Sequence, residues 1–496
     1  MASSNLTSGF IDLATFDELE KYLYGGSSAT AYFVRETRKA TWFTQVPVAL
    51  SRSTGIADFG QDSSVNISRA GDYLLMAWLR LNVPTVQLLT TNQFGSNGRI
   101  RWTRNFMHNL IIECSITFND LVAARFDNYQ LDFWAAFTVP AGKLNGYKNM
   151  IGDFDDLTGP HDTNNPIPNF TLNLPLPFFF ARDSGVALPT AALPYNEMRI
   201  TYSFQSWQNM LILDNIAAPA GTNPSTVPVV PTDIAAAPSL NAVYTWANYA
   251  IVSNDERKRM ACAPRNILIE QVQTAPIQTF QPGNNGNPTP SFDLRFSHAI
   301  KVLFFACRNN TVPNEWSNYT SATPVPGASA VNFNPPSAVD PIVTTSLTYE
   351  NTARLQNMGS DYFSLVQPWY HAPVIPLETG YHMYSYSLDF ICLDPKGSTN
   401  YGKLTNVSIA PAASQGAISA ANGTGAPGSG SDFPQTFKFV CTVVNNNIIR
   451  ISGGALGKHG KPRTGRRFDS YMDTIGDKRC NPYLSKVCSM EQLSMV

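Results

Sequence analysis

Charge is scarce in this chain. Of its 496 residues only 14% are Asp, Glu, Lys or Arg, against about 25% in an average soluble domain. Hydrophobic residues still make up 43%, and the net charge is -1. Uncharged polar residues, with 35 Pro and 32 Gly, fill the difference. A disordered chain, which needs low hydrophobicity and high net charge, is excluded. So is a coiled coil, which draws about half its residues from Ala, Glu, Lys, Leu and Arg. No basic excess marks a protein that wraps nucleic acid, and no direct nucleic-acid contact is expected. Long apolar runs are missing too: none reaches the roughly 18 residues of a membrane-crossing helix. Stretches such as 300–307 are strand-sized and even contain Lys301. The first nine residues show neither the basic nor the apolar region of a secretory leader. The seven cysteines (114, 262, 307, 392, 441, 480, 488) are scattered and form no Cys-x-x-Cys pair. Cys114, Cys307, Cys392 and Cys441 lie in apolar strand-like runs, where a thiol packs as a small hydrophobe. A reducing compartment is the expectation. Without a leader, the Asn-x-Ser/Thr sites at Asn5, Asn66, Asn169, Asn309, Asn318, Asn406 and Asn422 read as chance matches.

What remains is a large, folded chain with much neutral surface. Charge is depleted at interface cores, and a neutral chain with exposed apolar area is poorly soluble alone. The composition therefore predicts an assembling protein.

Chemistry-bearing motifs are equally sparse. The one Gly-x-Gly-x-x-Gly, at Gly423, Gly425 and Gly428, contains Pro427 and sits among Ser and Gly repeats. A phosphate cradle needs a strand before it and a helix after it, so this reads as a loop. Asp153, Asp155 and Asp156 faintly resemble a calcium loop, but Thr158 and Asn164 stand where Gly and Glu are needed. Cys480, Cys488 and His459 lack zinc-finger spacing. Six dispersed histidines make no cluster, and His108 and His298, at the starts of apolar runs, read as packed. No catalytic, cofactor-binding or metal-ligating residue is assigned, no cofactor is expected, and the chain reads as a non-enzyme.

Along the chain, residues 1–35 form an arm. Thr15 with Glu18 reads as a capping box, and Phe16, Leu19 and Leu23 then share one helical face. They read either as a helix packed on its own domain or as the candidate inward docking arm, for a neighbour or a membrane face. From 36 to 253 the chain reads as β, with strands at 42–50, 64–68, 73–83, 108–119, 170–180, 197–205 and 243–253 between Gly, Pro and Asn clusters. The run 73–81 is apolar almost throughout, as for a strand buried on both faces. A short helix is placed at 128–137 and a long loop at 216–239. The charged cluster 255–259 lies in a linker, 254–264. A second β series, 265–455, is broken by long loops at 308–340 and 412–431. The tail 456–496 holds eight basic and four acidic residues, a local +4 that leaves -5 for the body. It reads as a solvated tail or as one that docks on an acidic neighbour, lipid head groups or nucleic acid, with Arg463, Arg466 and Arg467 as the candidate contacts.

The halves repeat weakly. Ser115-Ile-Thr-Phe-Asn-Asp120 matches Ser346-Leu-Thr-Tyr-Glu-Asn351. A His-led apolar run precedes each, and an Asp/Tyr/Leu/Trp pattern follows: Asp127, Tyr129, Leu131, Trp134, then Asp361, Tyr362, Leu365, Trp369. Three matches in one order predict two copies of a β-sandwich of jelly-roll type.

Longer stretches carry a resemblance. Ser8-Gly-Phe-Ile-Asp-Leu-Ala-Thr15, the run from Pro175 through Phe178-Phe-Phe180 to Ile200, Asp255-Glu-Arg257, Pro395 to Asn406, and Asn447-Ile-Ile-Arg450 together resemble the capsid proteins of iridoviruses, from about residue 8 to 455. The resemblance implies an all-β double jelly roll, two eight-stranded antiparallel sandwiches with short helices in loops. It implies a homotrimer forming a pseudo-hexagonal capsomer, neighbouring capsomers, minor capsid proteins as partners, and an icosahedral shell over an internal viral membrane, assembled in the host cytoplasm. On that reading the 308–340 loop, with Asn309, Trp316, Asn318 and Tyr319, is the candidate outer surface. The tail is not covered. The competing readings are a carbohydrate-binding or hydrolytic β-sandwich protein, and a minor capsid or spike protein of the same lineage.

Overall fold

The computed structural model describes residues 2–35, 37, 39–193, 196–217, 226–262, 265–282, 290–322, 339–422, 434–452 and 455–458. They divide into two units, Met1–Trp42 and Phe43–Val496.

The first unit contains α1 (Ala2–Ala14) and α2 (Glu18–Tyr24). α1 lies ahead of the expected helix, with Leu6, Phe10 and Leu13 exposed at i, i+4 and i+7. α2 begins later than Thr15 and Glu18 imply. Its cap is Asp17, whose carboxylate accepts from the Glu18 N–H at 2.7 Å, while Glu20 accepts from the Asp17 N–H at 3.3 Å. Asp is as good a cap as Thr and adds negative charge at the positive helix end. Thr15 instead bonds back to the Asp12 carbonyl, at 2.7 Å. Phe16, Leu19 and Leu23 are all exposed.

The second unit is built on two sets of eight strands. The first set is β1 (Phe43–Ala49), β2 (Asp62–Asn66), β3 (Tyr73–Val83), β4 (Ile111–Phe118), β5 (Leu121–Asp127), β6 (Phe170–Pro175), β7 (Met198–Phe204) and β8 (Asn241–Val252). The second is β9 (Arg265–Thr274), β10 (Phe292–Asp293), β11 (Ala299–Asn309), β12 (Ile342–Tyr349), β13 (Thr352–Gly359), β14 (His382–Ser385), β15 (Val407–Ala413) and β16 (Phe437–Ser452). The first set forms sheets β1-β8-β3-β6 and β2-β7-β4-β5, and the second forms β9-β16-β11-β14 and β10-β15-β12-β13. Adding eight to each label converts one roll into the other. Two facing antiparallel sheets in this order are a jelly roll, so the chain is a double jelly roll.

Alternation explains the strands. In β7, Met198, Ile200, Tyr202 and Phe204 point into the core and the residues between them do not. β3 departs from the expectation of burial on both faces. Ala77, Leu79, Leu81 and Val83 are buried, but Met76 is exposed and Trp78 only half-buried. Two strands in the first set's region start or end elsewhere than the apolar run. His108 lies on a helical turn, α3 (Phe106–Leu110), which leads into β4. The run 170–180 breaks after Pro175, because Pro cannot extend a ladder. The charged cluster lies on α6 (Asn254–Cys262), where Arg257 pairs with buried Asp72 at 2.9 Å rather than facing only water. Cys114, Cys307 and Cys441 are buried thiols raised by desolvation, whereas Cys392 is half-buried.

The internal repeat is a hairpin. Asn119 and Asp120 turn β4 into β5 with φ of 48° and 63°, and Glu350 and Asn351 turn β12 into β13 with φ of 46° and 63°. Two consecutive left-handed residues make a type I′ turn, whose twist matches the strands. Each hairpin is followed by a helix. In the first roll this is α4 (Asn128–Thr138), capped by Asp127, which accepts from the Gln130 N–H at 2.8 Å. In the second it is a π-helical turn, Tyr362–Val366, running into α7 (Gln367–His371).

A β-branched residue tolerates positive φ poorly, at about 1–2 kcal/mol. Asp120→Val should therefore lower the thermal unfolding midpoint, whereas Asp120→Gly should hold or raise it. Calorimetry of the two variants checks this, and equal midpoints would count against the turn assignment.

Candidate assembly surfaces and the seam between the rolls

The rolls are joined by a helix laid on a sheet. α4 places Tyr129, Phe133 and Phe137 at i, i+4 and i+8 on the outer face of the β9-β16-β11-β14 sheet. There Phe133 and Phe137 stack on Phe304 of β11, with ring centroids 5.9 and 5.3 Å apart and planes within 18°. Val302, Ala306, Val440, Val444 and Met383 complete the apolar bed.

A polar network fixes the register. The carboxylate of Asp132, buried on α4, accepts from Ser317 Oγ at 2.7 Å, Tyr319 OH at 3.0 Å and Asn105 Nδ2 at 3.3 Å. His108 Nδ1 lies 2.8 Å from it. The opposite ring nitrogen meets Tyr147 OH at 2.6 Å. Both ring nitrogens of His108 are thus engaged, one by the Asp132 carboxylate and one by the Tyr147 hydroxyl.

Two ion clusters flank this hub. Arg101 pairs with Asp214 at 2.8 Å and lies 3.6 Å from Glu315 of the second roll. Arg104 bridges Asp153 at 3.2 Å and Glu378 at 2.6 Å, with Lys148 joining Asp153 at 3.2 Å. Lys148 projects from a further helix, α5 (Ala141–Ile151). Burial alone would raise the Asp153 carboxyl, but Arg104 and Lys148 outweigh it and hold it below the usual range. Glu315 goes the other way: burial raises it, and the more distant Arg101 only partly opposes this.

The loop at 308–340 was expected on the outside, and its described limb is not there. Asn309, Asn318 and Tyr319 are buried and Trp316 is half-buried. Asn309 Nδ2 donates to the Thr320 carbonyl and to Gln435 Oε1, both at 3.0 Å. Asn318 Oδ1 accepts from the Thr320 N–H at 3.1 Å. Trp316 Nε1 donates to the Asn209 carbonyl at 3.0 Å, and the Arg308 guanidinium covers its ring at 3.7 Å. Asn314 Nδ2 reaches the Gln208 and Leu211 carbonyls at 2.8 and 2.9 Å. The limb is thus a clamp from the second roll onto the first. The physical reason is that its Asn and Ser side chains find buried carbonyl and carboxylate partners, which a solvated loop would not offer. Gly380, at φ +99°, permits the close approach, since any Cβ there would collide with the Tyr319 carbonyl. Positions 323–338, the Gly423–Gly428 motif and the tail with Arg463, Arg466 and Arg467 lie outside the described residues.

Sequence reasoning found α4 but not its seat, and missed Asp132, His108 and Ser317 as a unit. A carboxylate amid the aromatics of an amphipathic helix was the available signal. Among the described residues no group of three or more His, Cys, Asp or Glu could hold a metal, and no helix is long and apolar enough to cross a membrane.

The outer surface still offers apolar area. Leu365, Val366, Trp369 and Tyr370 of the second helical turn are exposed, as is nearby Leu388, whose carbonyl lies 3.1 Å from His371 Nδ1. Across the molecule's first roll, Met76 and Tyr244 flank a stacked Trp78–Trp246 pair on the open β1-β8-β3-β6 face.

A carboxylate held below its usual range stabilises the fold above the ordinary Asp value of about 3.9, and the contribution disappears as pH falls through the folded value. Asp153→Asn should therefore be less stable than the parent at pH 7, by about 1–3 kcal/mol. The gap should close below about pH 4. Thermal midpoints across that range check it; a gap that persists at low pH would contradict the pairing with Arg104.

Comparison with known proteins agrees with this architecture. The model of the large eukaryotic DNA virus major capsid protein matches residues 256–457, and that of the major capsid protein N-terminus matches 31–252. The major capsid protein of Invertebrate iridescent virus 6 is 64% identical over 465 residues, covering 92% of this chain and 99% of the relative. That of Costelytra zealandica iridescent virus is 64% identical over 460 residues, with 92% and 99% covered. Among solved structures, the PBCV-1 virus capsid chain shares the fold at a TM-score of 0.68 and 19% identity, over 87% of this chain and 100% of that one. With two family models lying end to end along it and relatives this similar over nearly its full length, the chain belongs to the major capsid proteins of large eukaryotic DNA viruses.

Proposed function

We propose that this capsid protein closes into a homotrimer and that the trimers, packed against neighbouring capsomers, tile an icosahedral shell assembled in the cytoplasm of the host. The observation that supports this is the duplication of one sheet order within one chain. Three such chains around a threefold axis present six similar lobes, an outline that packs hexagonally. A single-roll protein would need six copies for the same outline. Obligate contacts of this kind commonly bury about 2,000–5,000 Å², and the low charge of the surface suits that burial.

The arm serves the inner side of the shell in this reading. α1 and α2 carry exposed apolar side chains, Leu6, Phe10 and Leu13 on one and Leu19 and Leu23 on the other, with Phe16 between them. Such a surface fits a minor capsid protein or the apolar boundary of an internal membrane. The basic tail, with Arg463, Arg466 and Arg467, supplies a contact to an acidic body surface. The family match does not favour a carbohydrate-binding or hydrolytic role.

Light scattering on the purified protein should give about three times 54.4 kDa. A monomer or dimer at shell-forming concentrations would overturn the trimer. Deleting residues 1 to 26 should leave a trimer of the shortened chain but impair closure of shells, scored by electron microscopy; normal shells would dispose of the arm's role.

A further inference from the structure

We propose that the first roll binds a fatty acid between its two sheets, with the chain in a cavity beside Leu79 and Phe204 and the carboxylate on Arg52. The proposal does not depend on how copies of the chain assemble.

The cavity lies where the backbone crosses from one sheet to the other. The Leu50 N–H donates to the Thr245 carbonyl of β8 at 2.8 Å, and the next carbonyl, of Ser51, accepts from the Asn66 N–H of β2 at 3.0 Å. At this corner is a space of about 310 Å³. Close-packed interiors hold few voids larger than one water molecule, whereas small-molecule sites run from about 300 to 1,000 Å³. Leu50, Val65, Leu79 and Phe204 wall it, all buried and drawn from the corner and both sheets. Ser51, Arg52 and Tyr244 also line it and are exposed, so the space opens to water there.

Irregular pairing accounts for the space. The ladder between β8 and β3 breaks between Asn241 and Tyr244, where Ala242 takes φ +50°. On the opposite sheet a short edge strand, Arg52–Gly55, pairs with β2, with a break between Arg52 and Thr54. Such breaks bend a strand, re-aim its side chains and recur beside active sites. Both border the cavity, one through Val243 and the other through Arg52.

The walls are hydrocarbon, so a sugar or a nucleotide would lose its water for nothing in return. Facing sheets stand about 10 Å apart, a slot suited to one unbranched chain and too narrow for a two-chain lipid. At the mouth, Arg52 lies directly across the ladder from Val65. Residues paired this way share a face. Val65 is buried in the core, so Arg52 stands on the inner side of its sheet. No carboxylate pairs with it among the described residues. A guanidinium offers two parallel donors that match a carboxylate. Ser63, 3% exposed, lines the same space, and its hydroxyl has no partner among the described residues. It is an open donor on the same inner face as Arg52. Tyr202 and Thr245 line the space too, but their hydroxyls satisfy each other at 3.0 Å and ask nothing of a chain passing them.

The experiment titrates the full chain with sodium dodecanoate, below its micelle concentration, by calorimetry. One molecule should bind per chain and raise the thermal midpoint. Arg52→Gln changes an exposed side chain, so the unliganded midpoint should hold while affinity for dodecanoate falls by about tenfold or more. Dodecanol, which has no charge to pair, should bind the parent and Arg52→Gln alike. Ser63→Leu fills the space with hydrocarbon and should hold or raise the unliganded midpoint while abolishing binding. If Ser63→Leu fails to fold, Arg52→Gln and the alcohol comparison decide. Absence of binding would overturn the proposal. So would uptake that takes many molecules per chain, or that both variants leave unchanged, since that is adsorption on exposed apolar side chains such as those of the arm. Binding to phosphatidylglycerol vesicles, lost in Arg52→Gln, without binding of free dodecanoate would assign Arg52 to a membrane surface and also sink the idea.

Discussion

Asp132 sits midway along α4 with its carboxylate out of reach of water and donors converging on it from three directions. Ser317 and Tyr319 come from the second roll, and Asn105 and His108 from the first. An ion moved out of water costs several kcal/mol unless its hydrogen bonds are replaced. Here they are, but only when the two rolls stand in one relative position. The aromatic row of α4 would tolerate sliding along the apolar bed, since burial of apolar area has no direction. The carboxylate would not, because a shift of an ångström or two leaves it or its donors unpaired. The apolar contact holds the rolls together, and the polar hub decides where.

This gives the low charge content a location. Several of the few charged side chains are buried near the seam or within its clusters: Arg101, Arg104, Asp132, Asp153, Asp214 and Glu315. Glu270 pairs there with Lys301 at 2.6 Å and Arg182 at 3.0 Å, and the Arg182 guanidinium lies over Trp134. These charges are enclosed and contribute nothing to the exterior. Identical copies brought face to face then meet little like-charge repulsion.

Much of this architecture was legible in the sequence. The alternation of β7, the span of β3 and the helix at 128–137 follow from side-chain period. The hairpin repeat was visible because a type I′ turn restricts both central residues, so that Asn119-Asp120 and Glu350-Asn351 had to keep similar character. The seam was not legible. Asn309, Ser317 and Asn318 are residues that a solvated loop would also use, and nothing local distinguishes a side chain bonded to water from one bonded to a buried carboxylate. The start of α2 was misplaced by a similar ambiguity. Thr15 and Asp17 are both competent caps, and each has a Glu three positions on. β5 and β13 were overlooked because exposed residues interrupt their apolar pattern.

The two helices after the repeat hairpins differ in a way that matters for assembly. α4 carries a buried charge and needs partners fixed in advance, which a covalent neighbour supplies at no translational cost. The second turn exposes Leu365, Val366, Trp369 and Tyr370, all uncharged. A contact made by such a surface requires no ion to be desolvated and leaves none stranded when the subunits part. Its strength then depends on apolar area and on subunit concentration, not on exact charge pairing. Fusing two rolls in one chain allows this division. The permanent seam bears the polar network that sets geometry, and the exposed side chains of the second turn carry no part of it.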